Sequence, residues 1–180
     1  MQGIVYRSTG SWYNVKDNEG QMWNARLKGI FKLDDITSTN PIAVGDVVEF
    51  EMENENEQSV TITKIHDRIN HINRQSPRIK SQQHIVAANL DQSLLIATIK
   101  EPRTSQGFID RFLVTCEMYH VPAIILFNKL DLYKEKELTK FEKLKEVYES
   151  IGYKVAGVSL KNGDGMTGMR ELLRKKVTLI

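Results

Sequence analysis

Pro122-Ala123-Ile124-Ile125-Leu126-Phe127-Asn128-Lys129-Leu130-Asp131 is an apolar run that breaks off at an Asn-Lys-x-Asp tetrapeptide. Residues 123–127 are too few for a helix and are bounded by a proline and by polar side chains. They read as a strand buried on both faces of a parallel sheet. Ligands of such sheets bind beyond the carboxyl ends of the strands, where the tetrapeptide falls. A carboxylate there, Asp131, would accept two hydrogen bonds from N1–H and the exocyclic amine of a guanine. Adenine has an acceptor at N1 and no donor at C2, so the carboxylate would be left unsatisfied. Lys129 would lay its methylene stem along the base, and Asn128 would tie the loop to neighbouring backbone. Asn, Lys and Asp are also ordinary loop residues. The buried strand in front of them is what favours a nucleotide over a plain polar connection.

Working outward, the flanking sequence alternates strands and helices. Residues 91–99 read as a second buried strand. Thr104 or Ser105 is placed to cap a helix whose apolar positions are Phe108, Ile109, Phe112, Leu113 and Cys116. After the tetrapeptide, Leu138, Phe141, Leu144, Val147, Tyr148 and Ile151 recur at helical spacing, with Gly152 as the stop. Residues 153–159 form the next strand. A last helix uses Met166, Met169, Leu172 and Leu173 and ends in Arg174-Lys175-Lys176, which suits a helix C-terminus. Residues 177–180 begin one more strand. Such a succession predicts a parallel sheet with right-handed crossovers.

One crossover after Asp131, Val158-Ser159-Leu160-Lys161-Asn162-Gly163-Asp164-Gly165 falls at the same edge of the sheet. Backbone N–H groups of Leu160 and Lys161 are placed to meet guanine O6, and the Ser159 hydroxyl to brace the first loop. By itself this is a glycine-rich turn before a helix; paired with residues 128–131 it becomes a second element of a site. A triphosphate would further need a Gly-x-x-x-x-Gly-Lys-Ser/Thr loop, and no Gly-Lys pair occurs in the 180 residues. Either the chain is no GTPase or its element order is permuted.

Residues 1–68 show no helical periodicity. Short alternating segments at 3–8, 11–15, 22–28, 47–52 and 59–66, with a long loop over 34–40, predict a small closed β-barrel. The OB type leads and an SH3-like barrel competes. Trp12, Tyr13 and Trp23 lie near Arg7, Lys16, Arg26, Lys28 and Lys32, as in barrels that stack bases and hold phosphates on one face. Two tryptophans filling a small core is the plainer reading. Residues 1–80 carry ten Lys and Arg against eleven Asp and Glu, including Glu49, Glu51, Glu53, Glu55 and Glu57 on alternate positions, an acidic comb assigned to solvent. Residues 69–82 read as a basic linker, and Trp12, Arg26, Lys28, Arg68, Arg74 and Arg78 are the candidate RNA contacts. The expected organisation is therefore a barrel over 1–68, a linker over 69–82 and a partial α/β domain over 83–180.

The net charge of +2 does not mark a nucleic-acid binder by itself. One cysteine, Cys116, leaves no internal disulfide and no cysteine-based metal cluster, and helical spacing puts it on a core face. Three histidines between His66 and His84 match no metal-ligand spacing, so no metal ligand is expected in the chain. The start carries no secretion signal, and no apolar run approaches the length of a bilayer span. A cytoplasmic protein without membrane contact is expected.

The chain resembles the ribosome small-subunit-dependent GTPase A family (RsgA, also called YjeQ or EngC) over essentially its full length. The residues carrying the resemblance are the small N-terminal β-domain, the connection from Arg68 to Arg78, Ala87-Ala88-Asn89-Leu90-Asp91-Gln92, Ile109-Asp110-Arg111-Phe112-Leu113, Asn128-Lys129-Leu130-Asp131 and Val158-Ser159 with Gly163-Asp164-Gly165. The resemblance implies a circularly permuted GTPase domain whose base-reading motifs precede the phosphate loop, with an OB-fold before it and a zinc-binding domain after it. It implies GTP hydrolysis with Mg²⁺, stimulated by the small ribosomal subunit during late maturation of that subunit, with the subunit and its rRNA as partners. Asn128, Lys129, Leu130 and Asp131 match the family's motif in full, whereas Ser159, Leu160 and Lys161 depart from it by a large middle residue. No catalytic residue is assigned. The chain is expected to stop before its phosphate loop, to be inactive alone and to be a monomer. The alternative is an RNA-binding barrel joined to a non-catalytic α/β domain.

Overall fold

The computed structural model describes residues 1–27, 41–52, 59–75 and 83–180. They form two compact units, Met1–Asn89 and Leu90–Ile180.

In the first unit, β1 (Gln2–Ser8), β2 (Tyr13–Asp17), β3 (Met22–Leu27), β4 (Val47–Met52) and β5 (Ser59–Ile65) close a barrel in the order β1-β2-β3-β5-β4. The β3–β5 pair is parallel and the others are antiparallel. This is an OB-like closure rather than the SH3-like alternative. Period-two alternation turns Val5, Tyr13, Val15, Ala25, Val48, Phe50, Val60 and Ile62 inward as one core. Of the acidic comb, Glu49 and Glu51 flank buried Phe50 on the outward side; Glu53, Glu55 and Glu57 lie outside the described residues.

Residues 69–82, expected as an irregular linker, contain a strand. β6 (His71–Gln75) pairs antiparallel with β7 (Gln83–Ala88) in a separate two-stranded sheet. Gln83, expected to open the α/β half, opens the second strand of this hairpin instead. A register shift between Ile72 and Asn73 breaks the alternation that would have revealed it. The Ala88 N–H donates to the Val44 carbonyl (2.9 Å), and Asn89 ties the Gly45 carbonyl (2.9 Å) to the Ile69 N–H (2.9 Å). Gly45 is required here: its φ is +92°, and a Cβ would stand 2.0 Å from the Ala88 carbonyl oxygen.

The second unit is a parallel sheet in the order β10-β9-β8-β11, built from β8 (Gln92–Ala97), β9 (Ala123–Phe127), β10 (Lys154–Gly157) and β11 (Thr178–Leu179). Leu95, Ala97, Ile125 and Phe127 face α1 (Gln106–Met118) and α2 (Glu135–Ser150) through Ile109, Leu113, Phe141, Leu144 and Tyr148. Leu94, Ile124 and Leu126 face α3 (Met166–Leu173) on the other side. The Ser105 hydroxyl caps α1 by accepting from the Phe108 N–H (3.3 Å). Cys116 is buried on the core face, and burial pushes its thiol pKa up. Phe108, Leu138, Val147 and Ile151, expected in the core, are exposed. They sit at the margins of stripes whose centres alone reach the sheet.

Candidate functional site

The sheet delivers both loops to one edge. β9 and β10 run side by side with Phe127 opposite Gly157, so the segments that follow them emerge together. The Val158 N–H donates to the Phe127 carbonyl (2.8 Å) and the Leu130 N–H to the Val158 carbonyl (3.1 Å). Gly157 leaves room for the Leu130 side chain, whose Cδ2 would lie 2.8 Å from a Cβ at that position. Lys129 takes a left-handed conformation (φ 69°, ψ 36°), which turns the chain sharply between Asn128 and Asp131.

Side chains then join the loops. The Ser159 hydroxyl donates to Asp131 Oδ1 (2.6 Å) and its oxygen accepts from the Asn162 N–H (3.2 Å). Ser159 is fully buried, while Asp131 stands at the surface. A carboxylate held on one oxygen by a buried hydroxyl has its direction fixed and still faces outward. Asn128 Oδ1 accepts from its own neighbour, the Lys129 N–H (2.7 Å), and from the Leu160 N–H across the gap (3.3 Å). The second bond is a correction: the Leu160 N–H expected to meet a base oxygen is engaged by Asn128. Leu160 and Lys161 are exposed beside the loop.

Two residues absent from the sequence reading complete the arrangement. The Lys129 ammonium donates to the Glu101 carbonyl in the loop after β8. The Tyr133 hydroxyl donates to the Asn128 carbonyl (2.9 Å) and accepts from the Ile99 N–H (2.9 Å). Burial pushes the Tyr133 pKa up, so the phenol stays protonated through neutral pH. No periodicity could have marked either residue, because Glu101 acts through its backbone carbonyl and Tyr133 through a hydroxyl bonded to backbone groups.

The candidate RNA contacts separate. Trp12 is 42% exposed, and the Arg26 guanidinium lies over its ring, 3.9 Å from the centroid. Arg7, Thr9, Asn14 and Asn24 line a recess beside Trp12. Trp23 instead packs on the core and donates its indole N–H to Asp17 (2.8 Å). Arg74 is exposed on β6. Arg68 differs from expectation: its guanidinium is clasped to Asp46 (2.6 and 2.7 Å) and the Pro41 carbonyl (2.8 Å). Asp46 is fully buried, so Arg68 is the counter-ion it requires. Lys28 and Arg78 lie outside the described residues. Among the described residues, no three His, Cys, Asp or Glu side chains gather as a metal group, and no helix is long and apolar enough to cross a membrane.

Comparison with known proteins bears directly on this geometry. Residues 65–180 match the family model described as RsgA GTPase, and residues 2–60 match the RsgA N-terminal domain. The protein called small ribosomal subunit biogenesis GTPase RsgA in Flavobacterium psychrophilum is 47% identical over 99% of the chain, and its counterpart in Cytophaga hutchinsonii is 43% identical over 100%. The chain spans 55% and 59% of those relatives' lengths. The crystal structure of YjeQ from Thermotoga maritima superposes with a TM-score of 0.81 at 32% identity, covering 98% of this chain and 58% of that one. The structure of YloQ, a circularly permuted GTPase, does so with a TM-score of 0.74 at 26% identity, covering 98% and 57%.

Proposed function

The chain belongs to the RsgA GTPase family and is similar in structure to YloQ, a circularly permuted GTPase, and from that premise we propose that residues 128–131 and 159–161 read a guanine base. The observation that carries the proposal is the Ser159–Asp131 bond of 2.6 Å, which aims an exposed carboxylate from a buried support. In this reading Asp131 accepts from guanine N1–H and the 2-amine, and Lys129 covers a face of the ring. Asn128 and Ser159 hold the two loops together. Lys161, rather than Leu160, is the backbone donor left for O6.

The whole protein is proposed to hydrolyse GTP with Mg²⁺ during maturation of the small ribosomal subunit, in the cytoplasm and in contact with that subunit's rRNA. The name borne by the relatives supports this. Catalysis of phosphoryl transfer is positioning and charge stabilisation around phosphates. The residues assigned here serve only the base, and no phosphate loop is encoded in residues 1–180. The chain alone is therefore expected to bind guanine nucleotides weakly and not to hydrolyse GTP. A zinc-binding domain belongs to the family reading, and no residue of this chain is assigned to it.

A second reading concerns the barrel. The stacked Trp12–Arg26 pair, open to solvent, favours an RNA-binding face made of Trp12, Arg26 and the recess beside them. Arg74 is kept as a candidate phosphate contact; Arg68 is not.

Asp131→Asn tests the base assignment. Xanthine carries an oxygen where guanine has its 2-amine, so the new amide donor suits it. The preference for guanosine over xanthosine monophosphate is expected to swing by on the order of a hundredfold toward xanthosine. An unchanged preference contradicts the assignment.

A further inference from the structure

The parallel ladder between β8 and β9 stops at the site in an unusual way. Ala97 lies opposite Phe127, and the Asn128 N–H donates to the Ala97 carbonyl (2.8 Å). In a regular parallel pair the next rung would run from the Ile99 N–H to the Asn128 carbonyl. Those are the two groups bridged by the Tyr133 hydroxyl, with 2.9 Å on each side. A phenol oxygen therefore stands inside the ladder where a direct bond would close it, and two bonds in series hold the strands farther apart than one.

The spacer comes from the loop itself. Tyr133 ends the single 3-10 turn that begins at Leu130, and its own N–H donates back to the Leu130 carbonyl (3.0 Å). Its ring is 8% exposed and packs against Phe141 at 6.4 Å between centroids, so the hydroxyl cannot drift. With its carbonyl held on the Tyr133 hydroxyl, Asn128 reaches the Leu160 N–H with its side chain, and Lys129 spans to the Glu101 carbonyl. Either bond would be disturbed if the strands closed into a regular rung.

We infer that Tyr133 is a positioning residue of the base-reading loop, a built-in spacer that splays β8 from β9 and so sets the orientation of Asn128. This rests on the assignment of residues 128–131 to a guanine base. Tyr133 touches no ligand in this scheme and acts only through the Asn128 and Ile99 backbone.

The test uses the 180-residue chain with Tyr133→Phe, which keeps the ring and removes the oxygen. Tyr148→Phe serves as control, since it deletes another buried hydroxyl of the same unit, bonded to Asp110 (2.8 Å) and remote from the loop. Amide exchange and titration with guanosine monophosphate are followed by NMR. Tyr133→Phe is expected to speed exchange at both Ile99 and Leu160 and to weaken nucleotide binding about tenfold. Tyr148→Phe should leave Leu160 exchange and binding within about twofold of the parent. A purely local packing role would move Ile99 and leave Leu160 alone, and that result overturns the inference, as does unchanged binding. Should the parent chain bind no nucleotide, the base assignment fails, while Leu160 exchange still judges the spacer. If Tyr133→Phe does not fold, the parent's Ile99 amide decides: it should shift in step with Leu160 on titration, and a silent Ile99 overturns the inference.

Discussion

Two carboxylates of the first unit have opposite settings. Asp46 is fully buried, accepts from the Ala43 N–H (2.8 Å) and is paired to Arg68. Arg68→Ala would strand that charge, which costs about 3–5 kcal/mol when one partner of a buried pair is removed. Urea unfolding followed by tryptophan fluorescence should register a loss of that size; a loss below about 1 kcal/mol would show Asp46 to be solvated. Asp17, at the surface, accepts from Trp23 Nε1 (2.8 Å), the Gln21 N–H (2.8 Å) and the Glu19 N–H (3.0 Å). The indole bond foremost, then the backbone donors, hold its carboxyl below the usual carboxylate range. The folded pKa is depressed, so its stabilisation is whole above the unfolded value of about 3.9 and fades as pH falls through Asp17's own lower value. The gap in urea midpoint between the parent and Asp17→Asn should be flat from about pH 5 to 7 and shrink below about pH 4. A gap independent of pH would rule out this ionisation as the cause.

The elements of the second unit were legible because each carried its own signal. Buried runs marked β8 and β9, a serine marked the start of α1, and Gly152 (φ +96°) marked the end of α2. Ser105→Ala should cost about 1 kcal/mol in thermal or urea unfolding, the usual worth of an N-cap, and no loss would mean that the cap bond is not made. The β6–β7 hairpin was illegible because β6 is short, largely polar and bulged, and so lacks a clean period-two alternation. At the site, the residues that carry side-chain chemistry, Asn128, Asp131 and Ser159, were readable from spacing. Tyr133 and the Glu101 carbonyl were not, since their parts are played by a hydroxyl and a backbone oxygen placed by the fold.

At the scale of the whole molecule, one unit presents a cation stacked on an exposed indole and the other presents paired loops at the carboxyl edge of a parallel sheet. With a net charge of +2, the chain has little general attraction for polyanions, so the proposed RNA binding would rest on the local face. Binding to small-subunit RNA should fall steeply with salt, and Trp12→Ala should weaken it by about 1–3 kcal/mol, the worth of one stacked base. A salt-independent affinity, or one untouched by Trp12→Ala, would return those residues to a structural role. The central claim is that the second unit recognises guanine through residues 128–131 and 159–161, and its most direct test is NMR titration of the isotopically labelled 180-residue chain with guanosine and adenosine monophosphates. Amide shifts confined to those residues and saturating with guanosine monophosphate alone are the expected result; equal responses to both nucleotides, or none at those amides, would contradict it.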